Sequence, residues 1–245
     1  MLQVSYTLNF DIHQSLKRAS LFRFQAAPTI SVLLAQINME RFSVPFEMNK
    51  KIIDLLKMLS LKQESCAIED GVQVIYQKNP TVPTGTCAVL INGGERSLVA
   101  NLAAANTFSA GHLKTAEAEA AINNSSIFYI SGFFLTVSVE AILEIGKHAV
   151  IENKIFAMNL SAPFLIQFFG DQLAATLPYT DFVFGNESEA AAYGTAKGYG
   201  SDLSVIALKL AAQPKASGTR PRVVVFTQGS EKTIGDFNFL LFFCF

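Results

Sequence analysis

The sequence predicts an α/β fold, in which helices cover both faces of a parallel sheet and a β-hairpin is attached. Two observations support this prediction. Between residues 127 and 227, four short apolar segments alternate with helical segments, which is the pattern of successive β-α-β units. Ahead of them, two strand-like segments flank Asn92-Gly-Gly-Glu95, a turn sequence typical of a hairpin.

The predicted strands of the parallel sheet are at 127–130, 154–160, 181–184 and 222–227. The hairpin strands are predicted at 86–91 and 96–102, and a further strand is predicted at 72–76. Apolar positions with helical spacing predict helices at 138–153, 162–177, 188–193 and 203–212. We expect Gly170 to interrupt the second of these helices and Gly194 to end the third.

Two terminal segments do not follow this pattern. Residues 1–70 are predicted to be partly helical, because Ile52, Leu55 and Leu59 share one face of a helix over 49–61. Residues 235–245 are rich in phenylalanine, and 237–245 make a poor strand. The predicted division is therefore a segment at 1–70, a core at 71–234 with a hairpin at 84–102, and a tail at 235–245.

Charge and composition argue against several kinds of partner. The chain has 19 basic and 20 acidic residues and a net charge of −1, so no basic surface for nucleic acid is predicted. The three cysteines lack the spacing of a disulfide framework or a zinc site. The sequence shows neither a membrane-spanning apolar run nor a secretory signal at its start. We therefore expect no membrane contact, and a monomer in the cytoplasm, with the nucleus as a second location.

Glycine and polar residues follow each strand of the predicted parallel sheet. The segments that carry them are 131–134, 159–163, 185–189 and 227–230. In open parallel sheets, ligands bind beyond the carboxyl ends of the strands, so these residues predict a binding rim. The alternative is that they are ordinary loop residues, which strand ends generally carry. The residues alone leave both interpretations open.

Individual residues at these positions also allow two interpretations. Asn186 and Glu189 are spaced to act together on a hydrated Mg²⁺ or to cap a helix, and the residues alone favour the cap. Residues 227–229 offer a hydroxyl and amides to a phosphate, but an ordinary β-turn is favoured. Arg96 either pairs with phosphate or is solvated. Cys87 has no histidine near it in sequence, so packing is favoured over nucleophilic catalysis.

Five motifs follow one another along three fifths of the chain. The first is the hairpin, with the two parts Pro83–Val89 and Gly94–Asn106. The other four are Ile130–Ser138, Met158–Phe164, Phe184–Glu189 and Phe226–Gly229. In this order they resemble the adenosine kinases, a branch of the ribokinase-like (PfkB) carbohydrate kinases. The resemblance implies a partial ribokinase-like fold with a hairpin lid that excludes water. It also implies ATP-dependent phosphorylation of adenosine to AMP in purine salvage, with ATP as co-substrate and Mg²⁺ as cofactor.

The resemblance assigns roles to individual residues. An apolar pocket for the nucleoside base is implied for Cys87, Leu98, Ala100, Leu102, Phe134 and Phe164. Arg96 is implied to contact the transferred phosphoryl group. Asn186 and Glu189 are implied to act on Mg²⁺ and phosphate through water. The residues implied to lie against the ATP phosphates are Thr227, Gln228 and Gly229.

Two features of that family do not occur in this sequence. It contains no Gly-Ala-Gly-Asp motif, which in the family supplies an anion-binding loop and the aspartate that acts as general base. The sugar-binding first strand of the family is not recognisable within residues 1–65. We therefore expect this chain to be inactive or very weak as an adenosine kinase. A non-catalytic nucleoside binder, a non-functional partial product and another PfkB sugar kinase are the alternatives; the segment Asn159–Phe164 argues against the last.

Overall fold

The chain forms two compact units in the computed structural model, which describes residues 22–23, 31–34, 67–92, 95–216, 220–236 and 241–244. The first unit comprises residues 1–20 and 26–108, and the second comprises residues 21–25 and 109–245. The predicted helix over 49–61 lies outside the described residues. The three-part division at residues 70 and 234 stays a prediction.

The strands are named in chain order. They are β1 (Phe22–Arg23), β2 (Ser31–Leu34), β3 (Thr86–Asn92), β4 (Glu95–Asn101), β5 (Ile127–Ile130), β6 (Ile155–Asn159), β7 (Phe182–Asn186), β8 (Val223–Gln228), β9 (Glu231–Asp236) and β10 (Leu241–Cys244). The α-helices are α1 (Ala116–Asn124), α2 (Val139–Ile151), α3 (Pro163–Phe168), α4 (Gly170–Thr176), α5 (Glu187–Lys197) and α6 (Leu203–Ala211). Short 3-10 helices cover Ala103–Thr107, Ala110–Lys114, Gly132–Thr136 and Leu177–Tyr179.

The first unit contains a three-stranded sheet in the order β2-β3-β4. β3 and β4 are antiparallel, which confirms the predicted hairpin. At the base of the hairpin there is no room for a side chain on Gly85, because a Cβ there would lie 2.7 Å from the carbonyl oxygen of Leu102. Glycine is therefore required at this position, directly before β3, where the chain passes close to the residue that follows β4.

The predicted strand at 72–76 is wrong, because residues 72–79 have no regular secondary structure. Side chains hold the segment after it instead. The Gln77 amide donates to the Thr107 carbonyl at 3.1 Å, and the Asn79 amide donates to the Thr107 hydroxyl at 3.0 Å. The β-branched residues in 72–76 favour a strand, but this propensity leads to a strand only where a partner strand is available, and the segment forms none.

The second unit contains a seven-stranded sheet in the order β1-β5-β6-β7-β8-β9-β10. In this sheet, the strands β1, β5, β6, β7 and β8 are parallel to one another, and β9 and β10 add antiparallel strands at one edge. The four predicted apolar strands are therefore confirmed as β5 to β8, and helices flank the sheet. The residues 237–245 were expected to make a poor strand, yet β10 pairs with β9 over Leu241–Cys244.

Caps and breaks place the helices as the sequence predicted, with one exception. The Ser138 side chain caps α2, and the helix predicted over 162–177 is interrupted at Phe169, directly before Gly170, where α3 ends and α4 begins. Gly194, however, does not end its helix, because α5 continues to Lys197 and ends at Gly198, whose φ is 67°. Gly194 is needed for packing instead, since a Cβ there would lie 2.4 Å from Ile206 of α6.

The helices of the second unit pack against one another, with contacts between α2 and α4, α3 and α5, and α5 and α6. Apolar side chains from these helices and from β5 to β8 form the core; Phe128, Phe156, Phe226, Ile142 and Ile206 are among those buried completely or almost so. None of the described helices combines the length and apolar character needed to cross a membrane.

Candidate functional site

The carboxyl ends of four parallel strands lie side by side in the second unit. Polar residues follow each of them, as predicted, and the register places Asn186 at the end of β7 opposite Thr227 at the end of β8. Adjacent strands are about 4.8 Å apart, so the edge from β5 to β8 spans roughly 14 Å. This length suits a ligand that extends along several strand ends, and the position matches the binding edge of open parallel sheets.

A polar network joins the ends of β5 and β6. The Asn159 side-chain oxygen accepts hydrogen bonds from the Gly132 amide at 2.8 Å and from the Ser161 hydroxyl at 2.6 Å. The Ser161 oxygen in turn accepts from the Phe133 amide at 3.1 Å and lies 3.1 Å from the Ser131 hydroxyl. These contacts hold the two strand ends in one arrangement.

An aromatic pair lies next to this network. The rings of Phe133 and Phe164 meet edge to face, with their centroids 5.6 Å apart, and each residue is 39% exposed. Phe134, which the family resemblance implied for the base pocket, is only 7% exposed. Phe164 thus meets the exposed ring of Phe133, whereas Phe134, the neighbouring residue, is buried.

The sequence placed Phe133, Asn159 and Ser161 after the predicted strands, but it showed neither that the Phe133 ring meets Phe164 nor that Asn159 and Ser161 form a network. Both residues of the Phe133-Phe134 pair are equally apolar, so composition does not show which ring faces outward. The available signal was Gly132, because a glycine directly after an apolar strand suggests a close backbone approach. A Cβ at Gly132 would lie only 2.1 Å from the Asn159 carbonyl oxygen.

Asn186 and Glu189 form a capping box at the start of α5. The Asn186 side-chain oxygen accepts from the Glu189 amide at 2.9 Å, and the Glu189 carboxylate accepts from the Asn186 backbone and side-chain amides at 3.1 and 3.0 Å. The cap that the residues favoured is thus present. Burial raises the pKa of Glu189, and the hydrogen bond from the Asn186 backbone offsets this in part.

The capping box also fits a cation that is contacted through water. Both side chains bring oxygen atoms, which Mg²⁺ prefers, and each carboxylate oxygen keeps a lone pair for a water molecule. Among the described residues, no cluster of three or more His, Cys, Asp or Glu side chains could hold a metal directly. Phosphate and water would therefore have to provide most of the ligands of a metal at this position.

Thr227, Gln228 and Gly229 form the end of β8 and the turn into β9. The Thr227 hydroxyl donates to the Gly185 carbonyl at 3.4 Å, and the Gln228 amide donates to the Lys232 carbonyl at 2.5 Å. Gly229 has a φ of 56°, which favours glycine. The ordinary turn is therefore present, and it lies beside the capping box through the pairing of Asn186 with Thr227.

The remaining predicted residues lie on the hairpin of the first unit. Cys87 is buried and is paired in register with Ala100, while Leu98 is paired with Val89 and Arg96 with Ile91. Leu102 directly precedes the 3-10 helix Ala103–Thr107 and is half-buried.

The sequence profile of the pfkB family carbohydrate kinases matches residues 65–235. The chain is 51% identical over 165 residues to adenosine kinase from Dictyostelium discoideum, a match that covers 67% of this chain and 48% of the relative. The chain spans about half the length of the curated relatives it matches.

Two solved structures are similar to the described fold. Adenosine kinase from Anopheles gambiae, in complex with P1,P4-di(adenosine-5) tetraphosphate, matches with a TM-score of 0.71 and 44% identity over 74% of this chain and 55% of that one. Adenosine kinase from Schistosoma mansoni, in complex with 2-fluoroadenosine, matches with a TM-score of 0.71 and 30% identity over 75% of this chain and 55% of that one.

Proposed function

Because the chain belongs to the pfkB family of carbohydrate kinases, we propose that it supplies the nucleoside-binding and ATP-binding sheet edge of an ATP-dependent adenosine kinase. The order of groups along that edge carries the proposal. The exposed rings of Phe133 and Phe164 lie at β5 and β6, and Asn186, Glu189 and Thr227 lie at β7 and β8. An aromatic wall suits a flat purine, and polar groups suit phosphates with a hydrated cation.

In this proposal, Phe133 joins the predicted base contacts, and Phe134, the neighbouring residue, is buried. For the hairpin, taken by itself, Cys87, Leu98, Ala100 and Leu102 stay proposed contacts for a nucleoside base, and Arg96 stays a proposed contact for the transferred phosphoryl group. Similarity to proteins named adenosine kinase, two of them solved with adenosine compounds, supports adenosine as the acceptor. The product of this reaction is AMP, and the phosphorylation of adenosine to AMP is a purine-salvage reaction.

The nucleotide side of the proposal rests on the capping box and the adjacent turn. Phosphoryl transfer depends on positioning and on stabilisation of charge. Asn186 and Glu189 would orient water molecules around the phosphates, and the turn at 227–229 would lie against them. Mg²⁺, when bound with ATP, would supply positive charge between the phosphate oxygens.

Binding and turnover are separate parts of the test. Purified chain is titrated with adenosine and, as a control ligand, with ribose in a calorimeter; AMP is then measured after incubation with adenosine and Mg·ATP. We expect heat from adenosine and none from ribose. Little AMP is expected from these 245 residues, because their sequence contains no Gly-Ala-Gly-Asp motif.

The outcomes separate the alternatives. Heat from adenosine without AMP supports a nucleoside site in a chain that does not turn over. Heat from ribose instead of adenosine would contradict the proposal in favour of another PfkB sugar kinase. Rapid AMP formation would contradict the expectation that the missing motif disables the chain. The variant Phe164→Ala is expected to reduce the heat with adenosine, because it removes one exposed ring from the proposed pocket.

A further inference from the structure

We propose that Asn159 and Ser161 are positioning residues, which cap the 3-10 helix Gly132–Thr136 from a neighbouring strand end and thereby fix the Phe133 ring against Phe164. The inference rests on the proposed function, because the ring pair is taken as part of the nucleoside pocket. It goes beyond that function by naming the groups that set the position of the rings.

The 3-10 helix Gly132–Thr136 is capped by residues from outside the helix. Gly132 and Phe133 carry the first two amides of the 3-10 helix, which have no partner within a helix. Ser131, at the N-cap position, makes no side-chain cap. Asn159 and Ser161 accept these two hydrogen bonds instead, at 2.8 and 3.1 Å. The start of the helix is therefore held by residues 27 and 28 positions further along the chain.

The hydroxyl of Ser161 uses all of its hydrogen-bonding capacity within the network. A serine hydroxyl has one hydrogen and two acceptor lone pairs. Its hydrogen is donated to Asn159 at 2.6 Å, and it accepts from the Phe133 amide. At the 3.1 Å contact with the Ser131 hydroxyl, Ser131 must therefore be the donor. Rotation of the Ser161 side chain would break three hydrogen bonds together, so the network has one favoured arrangement.

The backbone of Ser161 adopts an unfavourable conformation. Its φ is 65°, in the left-handed region that favours glycine, so the serine occupies a conformation that glycine adopts more easily. Strained backbone of this kind is associated with sites where a side chain is held for function. The hydroxyl of Ser161, which glycine lacks, is the group that contacts Phe133.

Both aromatic rings are attached to backbone that lies close to the network. Phe133 is the second residue of the 3-10 helix, and Phe164 is the second residue of α3, which begins at Pro163 shortly after Ser161. The Ala162 amide donates to the Leu160 carbonyl at 2.8 Å, so the chain turns tightly between the network and α3. The Phe133 ring is attached to backbone that the network holds directly, and the Phe164 ring is attached to backbone shortly after Ser161. A shift of the backbone at either residue changes the edge-to-face contact of the rings.

The chain offers a direct reporter for this position, because it contains no tryptophan. In the variant Phe133→Trp, the new indole is the only tryptophan, and quenching of its fluorescence by acrylamide measures its exposure. Ser161→Ala and Ser161→Gly are each made in this background and in the natural sequence. Both remove the hydroxyl, but only Ser161→Gly also relieves the strained backbone. Asn159→Leu removes the acceptor, and Asn159→Asp retains it.

The matched control is Ser125→Ala. Ser125 has a buried hydroxyl that donates to Ala121 at 2.8 Å, outside the network. We expect this variant to melt at a lower temperature with an unchanged Kd for adenosine. Both Ser161 variants are expected to raise that Kd by about three- to tenfold and to increase quenching of the introduced indole, as the loss of one hydrogen bond implies. Asn159→Leu is expected to act in the same way, and Asn159→Asp to restore the quenching seen with asparagine.

The outcomes distinguish this inference from the proposed function. Unchanged quenching in both Ser161 variants would overturn the inference, whether or not adenosine affinity falls. A rise in quenching for Ser161→Ala but not for Ser161→Gly would also overturn it, since the backbone and not the hydroxyl would then set the ring. Absence of adenosine binding by the natural chain would contradict the proposed function alone, because the quenching experiment does not need a ligand.

Discussion

Glu189 is a buried carboxyl at the start of α5, and its hydrogen bonds to Asn186 offset only part of the cost of burying its charge. Burial therefore raises the pKa of Glu189 above the ordinary value of 4.5. The same residue is proposed to orient water around Mg²⁺. A carboxyl that serves a ligand at some cost to folding is a common arrangement at functional sites.

The sign of the pH dependence follows from this direction. With its pKa raised in the folded state, Glu189 ionises first in the unfolded chain, so its contribution to stability is present below pH 4.5 and is lost as the pH rises through the folded pKa. Glu189→Gln removes this titration and can keep the capping box, since glutamine is also found at its third position. The free energy of unfolding of the variant relative to the natural chain should therefore rise as the pH increases above 4.5.

Urea denaturation at several pH values measures this difference, and a calorimetric titration with Mg·ATP measures the function. We expect Glu189→Gln to bind Mg·ATP more weakly although it gains relative stability. Glu140→Gln is the control, because Glu140 is an exposed carboxyl in the first turn of α2 and, unlike Glu187, does not contribute to the raised pKa of Glu189. If the two variants showed the same pH dependence of stability, burial of Glu189 would not be the cause.

At the scale of elements, the contact between α5 and α6 depends on a residue without a side chain. A Cβ at Gly194 would lie 2.4 Å from the Ile206 side chain and 2.6 Å from the Gly200 carbonyl oxygen. The latter contact is with backbone, which cannot move aside as a side chain does. The glycine inside α5 is thus a requirement of helix packing, which helical spacing in a sequence does not reveal.

Gly194→Ala is therefore expected to destabilise the fold by about 1 to 3 kcal/mol, the usual cost of overpacking. Gly170→Ala provides the comparison, because a Cβ at Gly170 would meet no atom within 4 Å and alanine favours the helix. That change should be neutral or stabilise the fold by about 0.5 kcal/mol. Chemical denaturation of both variants decides the matter, and equal stabilities would show that α5 and α6 adjust freely.

At the scale of the whole molecule, Arg222 ties together segments that are distant in sequence. It is completely buried, and its guanidinium donates to five carbonyls, those of Leu177, Thr180, Leu210, Gln213 and Pro214. These carbonyls lie before β7 and around the end of α6. Burial lowers the pKa of Arg222. Beside it, buried Asp181 pairs with Lys215 and accepts from the Phe156 amide at 3.0 Å.

Arg222→Met is expected to lower the free energy of unfolding by at least about 3 kcal/mol, because it leaves several buried carbonyls without donors. The control is Lys209→Met, which also removes a positive charge but only an exposed one, held 4.8 Å from the Tyr199 ring. That change should cost less than about 1 kcal/mol. A comparable loss in both variants, measured by urea denaturation, would mean that charge and not the carbonyl contacts is responsible.

The local pattern of the sequence determined most of the parallel sheet, the hairpin and the capping box. Each of these depends on periodicity, turn residues or a cap within a few positions, and such signals can be read along the chain. The sequence likewise determined that residues 65–235 belong to a kinase family, because the motifs occur in order.

Only the tertiary structure decided which groups at the strand ends meet. Phe133 and Phe134 are chemically identical, and the structure shows that the ring of Phe133 meets Phe164. The Phe133 amide donates to the Ser161 hydroxyl oxygen, and the Gly132 amide before it donates to Asn159. The strand propensity of 72–76 failed because propensity requires a partner, and 241–244 forms a strand because β9 provides one. Pairing between distant segments depends on where the fold brings them, and that information is not carried by any local stretch of sequence.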